Sequence, residues 1–212
     1  MVSNIFFLVL EEPLLTYVWP PSKDHEYICS EDGSLLHFDS ENGPTFIRTK
    51  KNVPIEDEMF EFETKIVDGG KHFAIGIGFT TDPNLPLIGK GSPEDMDSNT
   101  IGVVLGDKAI CNGQNYTDAF DEPNVNGDVI GYRLQRHTIA EKGYLLYELF
   151  RNGCFVHGTL VQEQNIYPCI WVSSGKVVLE TNFRSKYFIY NKGIQNMKDL
   201  IFLCLKYIYT RN

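Results

Sequence analysis

Short runs of strict alternation dominate the middle of the chain. In Phe60-Glu61-Phe62-Glu63-Thr64-Lys65-Ile66, Phe60, Phe62 and Ile66 fall on one side and Glu61, Glu63 and Lys65 on the other, because successive strand side chains point to opposite faces. This predicts a strand with its apolar face on a core and its charged face in solvent. Phe73-Ala74-Ile75-Gly76-Ile77-Gly78-Phe79 alternates large apolar with very small residues, which predicts a central strand whose bare face admits a close neighbour. Residues 129–134, 144–150, 166–172 and 177–183 are rich in β-branched and aromatic residues and read as further strands.

Between the runs stand Asp32-Gly33, Asn42-Gly43, Asp68-Gly69-Gly70, Asn112-Gly113, Asn126-Gly127, Asn152-Gly153 and Ser174-Gly175, the residue types that supply tight hairpin turns. Nothing between residues 30 and 185 shows a capped helical period. The expectation is therefore an all-β fold with antiparallel connections, a sandwich ahead of a barrel. Two stretches break the rhythm and read as long loops: residues 80–99, with three prolines and two glycines, and residues 112–126, which contain Tyr116 and Phe120. Residues 197–209 place Leu200, Leu203, Cys204, Tyr207 and Ile208 along one side of a short C-terminal helix. The organisation expected is an N-terminal extension (1–30), a sandwich (31–185) and a C-terminal tail (186–212).

Composition narrows the function classes. A chain of 212 residues with 42% apolar content can bury one ordinary core. Lys+Arg 19 against Asp+Glu 28 leaves a net charge of −9, a field that repels phosphate backbones, so nucleic acid is not an expected partner. Cys29, Cys111, Cys154, Cys169 and Cys204 are odd in number and scattered without metal-ligand spacing, which reads as reduced thiols in a cytosolic protein. The apolar run Ile5 to Leu10 has no basic flank and meets Glu11-Glu12, so neither a signal peptide nor a membrane span is expected. The expected compartment is the cytoplasm, with the nucleus second.

Six short motifs then occur in a telling order: Met59-Phe60-Glu61-Phe62-Glu63, Ile75-Gly76-Ile77-Gly78-Phe79, Gly127-Asp128-Val129-Ile130-Gly131, Phe150-Arg151-Asn152-Gly153, Tyr167-Pro168, and Val177 through Asn182-Phe183. Their order and spacing resemble the SPRY (B30.2-like) family over residues 59–183, and Leu35 to Lys50 resembles the strands preceding the core in longer members. The resemblance implies a bent antiparallel β-sandwich. Each motif also has a plain structural reading: Asp128 and Gly131 shaping the start of a buried strand, Asn152-Gly153 closing a hairpin, Tyr167-Pro168 fixing an edge.

SPRY domains generally bind proteins or short peptide segments through loops at one end of the sandwich. The resemblance thus implies partner binding by Asp82, Pro83, Leu85, Pro86 and Leu87 in one loop and by Asn115, Tyr116 and Phe120 in the other; Tyr gives large contact area at low entropy cost. Gly175-Lys176-Val177-Val178, Asn182-Phe183 and Phe188-Ile189-Tyr190 resemble the end of the Ran-binding-protein-M type, a ubiquitin-ligase scaffold. Leu200, Cys204 and Ile208 match the elongin-binding spacing of SPRY proteins that end in a SOCS box, although Asp199 replaces the usual small residue or proline. Ubiquitin-ligase subunits are therefore one expected partner class.

Chemistry is weakly supported. Glu61 and Glu63 are paired acids on one strand face, as in some sandwich glycosidases, but no third acid completes the pattern and a solvated face is the expectation. No G-x-S-x-G, Walker loop or HExxH occurs, the five histidines share no spacing, and Asp95, Asp97 and Asn99 lack the rest of a calcium loop. No catalytic residue, metal or cofactor is expected. A carbohydrate-binding, lectin-like sandwich is the alternative to protein binding.

Overall fold

The computed structural model describes residues 19–21, 27–31, 33–53, 59–69, 74–91, 100–105, 108–111, 114–116 and 126–183. They form fourteen strands: β1 (Tyr27–Cys29), β2 (Leu35–Asp39), β3 (Thr45–Arg48), β4 (Met59–Asp68), β5 (Ala74–Thr80), β6 (Ile88–Lys90), β7 (Thr100–Leu105), β8 (Lys108–Cys111), β9 (Gln114–Tyr116), β10 (Val129–Ile139), β11 (Lys142–Arg151), β12 (Cys154–Gln162), β13 (Tyr167–Ser174) and β14 (Lys176–Phe183). The first sheet runs β1-β2-β14-β4-β10-β11-β12 and the second β6-β3-β13-β5-β7-β8-β9. All strand pairs are antiparallel. The all-β antiparallel sandwich expected from the alternation is the fold observed; the expected C-terminal helix lies outside the described residues.

The core sits where the inner faces meet. Phe60, Phe62 and Ile66 of β4 and Ile130, Tyr132 and Leu134 of β10 join Ile75, Ile77 and Phe79 of β5 and Ile170 and Val172 of β13 in one cluster. Phe62 is fully buried, with ring centroids 4.9 Å from Phe183, 6.0 Å from Trp19, 6.2 Å from Phe79 and 6.5 Å from Tyr132. Burying such a side chain contributes about 1.5–3 kcal/mol. The Tyr132 hydroxyl donates to the Ile77 carbonyl at 2.6 Å, tying one sheet to the other at the core. Trp19 is also buried, and its Nε1 donates to Thr181 Oγ1 at 2.9 Å.

Hairpin chemistry follows the turn residues in part. Asn152 and Gly153, both at positive φ (51° and 79°), turn β11 into β12, and Asn152 accepts from the Val129 amide through Oδ1 at 2.9 Å. Its amide nitrogen donates to Asp128 Oδ1 at 2.7 Å, while Arg151 reaches Asp128 Oδ2 from Nη2 at 2.6 Å and from Nε at 3.1 Å. Two of the sequence motifs are thus one hydrogen-bonded knot joining the start of β10 to the end of β11.

Four expectations are corrected. The 80–99 stretch contains β6, which pairs with β3, and the 112–126 stretch contains β9, which pairs with β8; three-residue strands are too short for alternation to reveal. Tyr167-Pro168 lies in β13, between β3 and β5, and does not fix an edge. Proline is tolerated there because Pro168's carbonyl accepts from Thr49, just past the end of β3; a residue's N–H and C=O share a side of the strand, so the missing donor falls where the neighbour strand has ended. The β10–β11 hairpin turns at Ala140-Glu141, both at positive φ (48° and 65°), without the Asn or Gly that would flag it. Finally, the acidic face of β4 is solvated only in part: Glu63 is 6% exposed, Glu61 is half-buried and bonds Arg133 Nε at 2.8 Å, and Lys65 alone of the three is well exposed.

Candidate functional site

The outer face of the second sheet has its own small core. Register opposes Phe46 to Trp171 and Arg48 to Cys169 on β3 and β13, and alternation turns these four away from Ile47, Ile170 and Val172. Phe46, Cys169 and Trp171 are buried together, with Leu85 packed on them. Gly76 and Gly78 lie across from Trp171 and Cys169 on β5, the bare positions that leave room for the indole. Burial pushes the Cys169 thiol well above its usual pKa, with Arg48 opposing, so it is an unreactive packing group.

Residues 81–87 connect β5 to β6 and cross β13 and β3 to do so. Arg48 holds the crossing. Its Nε donates to the Leu85 carbonyl at 2.6 Å, Nη2 to the Pro83 carbonyl at 2.9 Å and Nη1 to the Thr49 carbonyl at 2.9 Å. The guanidinium carbon stands 4.8 Å from the Tyr167 ring centroid, a cation–π distance. Within the loop, the Asn84 amide donates to Asp82 Oδ1 at 2.8 Å and the Asp82 amide to Thr80 Oγ1 at 3.2 Å, an Asx turn that fixes the backbone locally. Pro83, Asn84 and Pro86 are left exposed; Asp82, Leu85 and Leu87 are half-buried. Leu85 faces the small core.

The two predicted loops are not brought together. The 81–87 crossing lies on the β13 and β3 side of β5, whereas Asn115 and Tyr116 belong to β9, beyond β7 and β8 on its other side. Phe120 lies outside the described residues, as do Leu200, Cys204 and Ile208. Arg48, Tyr167 and Trp171, which hold the loop, carried no signal as site residues, because their roles depend on a register across distant strands. Among the described residues no group of three or more His, Cys, Asp or Glu is placed to hold a metal ion. Glu148, beside Glu61 through Arg133, is fully buried, whereas Glu61 keeps 18% of its side chain exposed.

The chain matches no family model and no curated protein. Solved structures do match. A human SPRY domain superimposes with TM-score 0.59 at 16% identity, over 76% of this chain and 98% of that one. The TRIM65 PSpry domain gives 0.48 at 12% identity, over 79% and 86%, and the carbohydrate-binding module CBM66 from Bacillus subtilis 0.45 at 12%, over 78% and 93%. With two seven-stranded antiparallel sheets in this order and that likeness to the human domain, the chain has the SPRY sandwich fold.

Proposed function

We propose that this chain is a member of the SPRY family and a non-enzymatic protein-interaction module that captures a segment of a partner protein on the loop at residues 81–87. The observation that carries the reading is the pairing of an exposed surface with a rigid support: Pro83, Asn84 and Pro86 face solvent while Arg48 holds the loop carbonyls from beneath. A loop ordered before binding loses less entropy on capture. Asn115 and Tyr116, on β9, would form a separate contact beyond β5. We place the protein in the cytoplasm, with the nucleus second, on its odd, scattered cysteines; Cys154 and Cys169 are free thiols.

The test is selection of random dodecapeptides on the full chain, with counter-selection on Pro83→Ala/Asn84→Ala/Pro86→Ala. Enriched peptides that bind at least about tenfold more weakly to the variant, a loss of about 1.4 kcal/mol, with its melting unchanged, support the reading. No enrichment, or equal binding to both, overturns it, and retention on immobilised glycans instead would favour the carbohydrate alternative. The role as part of a ubiquitin-ligase complex is tested separately: purified elongin B/C should bind the full chain and lose binding on Leu200→Ala/Cys204→Ala/Ile208→Ala.

A further inference from the structure

Among the described residues, β1 and β12 stand at the edges of the first sheet and β6 and β9 at those of the second. β1, β6 and β9 have three residues each, too short to template another strand. β12 has nine, Cys154–Gln162, with no proline, lysine, arginine, aspartate or glutamate among them. Of the devices that blunt an edge it has only a β-bulge near its start, opposite Leu149 and Phe150 of β11. From His157 to Gln162 its pairing with β11 is regular.

Register fixes which backbone groups of this stretch are already bonded. The Glu163 amide donates to the Gly143 carbonyl at 3.0 Å, and hydrogen-bonded pairs alternate along an antiparallel ladder. Val161, Thr159 and His157 therefore bond β11, while the N–H and C=O of Gly158, Leu160 and Gln162 point away from it. Among the described residues no strand lies on that side and no backbone hydrogen bond is made there. Gly158 and Leu160 are half-buried and Gln162 is exposed, so the edge is open to a second strand. Charge selects the occupant. Glu163, just past the end of β12, is held by Arg136 at 3.1 Å, and Arg151, before its start, by Asp128 at 2.6 Å. Burial pushes the His157 imidazole below its ordinary pKa, which keeps it neutral at pH 7. The edge is thus a neutral strip on a chain of net charge −9. An acidic or basic segment gains nothing from it, whereas a second copy brings a matching strip, and two −9 chains repel least where their neutral strips meet.

We propose that two copies of this chain pair edge to edge through β12, antiparallel about a two-fold axis at Leu160. Outward-pointing residues must oppose one another for ladder bonds to form. The register that uses all three sets Leu160 across from the second copy's Leu160 and Gly158 across from the second copy's Gln162, a self-complementary contact. The two leucines meet on the face where Leu146, directly across from Leu160 on β11, is 1% exposed. The loop at residues 81–87 belongs to the other sheet of each copy, so the pair carries two such loops and gains avidity for a partner with two matching segments.

Amide exchange of the full native chain, read residue by residue by NMR over a dilution series, tests this without altering a side chain. Thr159 and Val161, bonded to β11, should be protected at every concentration. Gly158, Leu160 and Gln162 should be protected only in concentrated protein and lose at least about tenfold of that protection on dilution, in step with a dimer-to-monomer transition in sedimentation. Leu160→Lys and Leu160→Glu should each weaken the dimer at least about tenfold, because like charges then face each other on the axis. Mixing the two variants should restore it as a heterodimer. Protection of Gly158, Leu160 and Gln162 that survives dilution would mean that another part of the same chain covers the edge, and fast exchange up to about 1 mM would mean that no second copy does. Either result overturns the proposal, as does a dimer indifferent to both variants or a mixture that stays monomeric. Peptide capture by residues 81–87 uses a different surface and stands or falls separately.

Discussion

Arg48 and Pro83, thirty-five residues apart, are joined by a 2.9 Å hydrogen bond from the guanidinium to the carbonyl, and with the parallel bond to Leu85 this makes the shape of a surface loop depend on a residue of β3. Arg48→Ala removes the donors for three carbonyls and should lower stability by about 2–4 kcal/mol. Arg48→Lys should recover little, since an ammonium lacks the planar fork. Urea unfolding checks both, and full stability of the lysine variant would show that charge alone suffices.

Phe62 is the centre of the aromatic core. Phe62→Ala should cost about 3–5 kcal/mol, read from the denaturation midpoint; a cost under 1 kcal/mol would mean that the sheets close over the cavity.

The Ala140-Glu141 turn places two L-residues at positive φ. Ala140→Asn with Glu141→Gly fits the same backbone without that strain and should stabilise by about 1 kcal/mol. Thermal melting decides it, and a loss of stability would show that the native side chains compensate.

Burial raises the Glu148 pKa above 4.5, with Arg133 opposing and Glu61 reinforcing. The folded state holds this proton more tightly than the unfolded chain, so the group's contribution is fully present below pH 4.5 and lost as pH rises through the higher native value. Glu148→Gln should therefore be at least as stable as the native protein at pH 7.5, with its advantage shrinking toward pH 4.5. Paired melts across that range test the sign, and a variant destabilised at pH 7.5 would show that Arg133 needs the charge.

Gly89 pairs with Phe46 across β6 and β3, and a Cβ at Gly89 would fall on the Phe46 ring. Gly89→Ala should cost about 1–3 kcal/mol through overpacking, measurable by chemical denaturation. An unchanged midpoint would mean that the ring can shift.

The sequence by itself determined the class of fold. Alternation in β4 and β5 exposes which side chains face the core, and Asn152-Gly153 announces its hairpin, because these signals are local and have a period of two. Only the tertiary structure decided the rest. Glu61 and Glu63 read as a wet face, since period marks which side a residue takes but not what lies over that side. Asp82, Pro83, Leu85, Pro86 and Leu87 were legible as a loop, but their division into exposed tip and buried anchor rests on Arg48, Trp171 and Tyr167, brought under them by pairing between β3 and β13. Such contacts join residues far apart in the chain, and no local pattern of polarity encodes them.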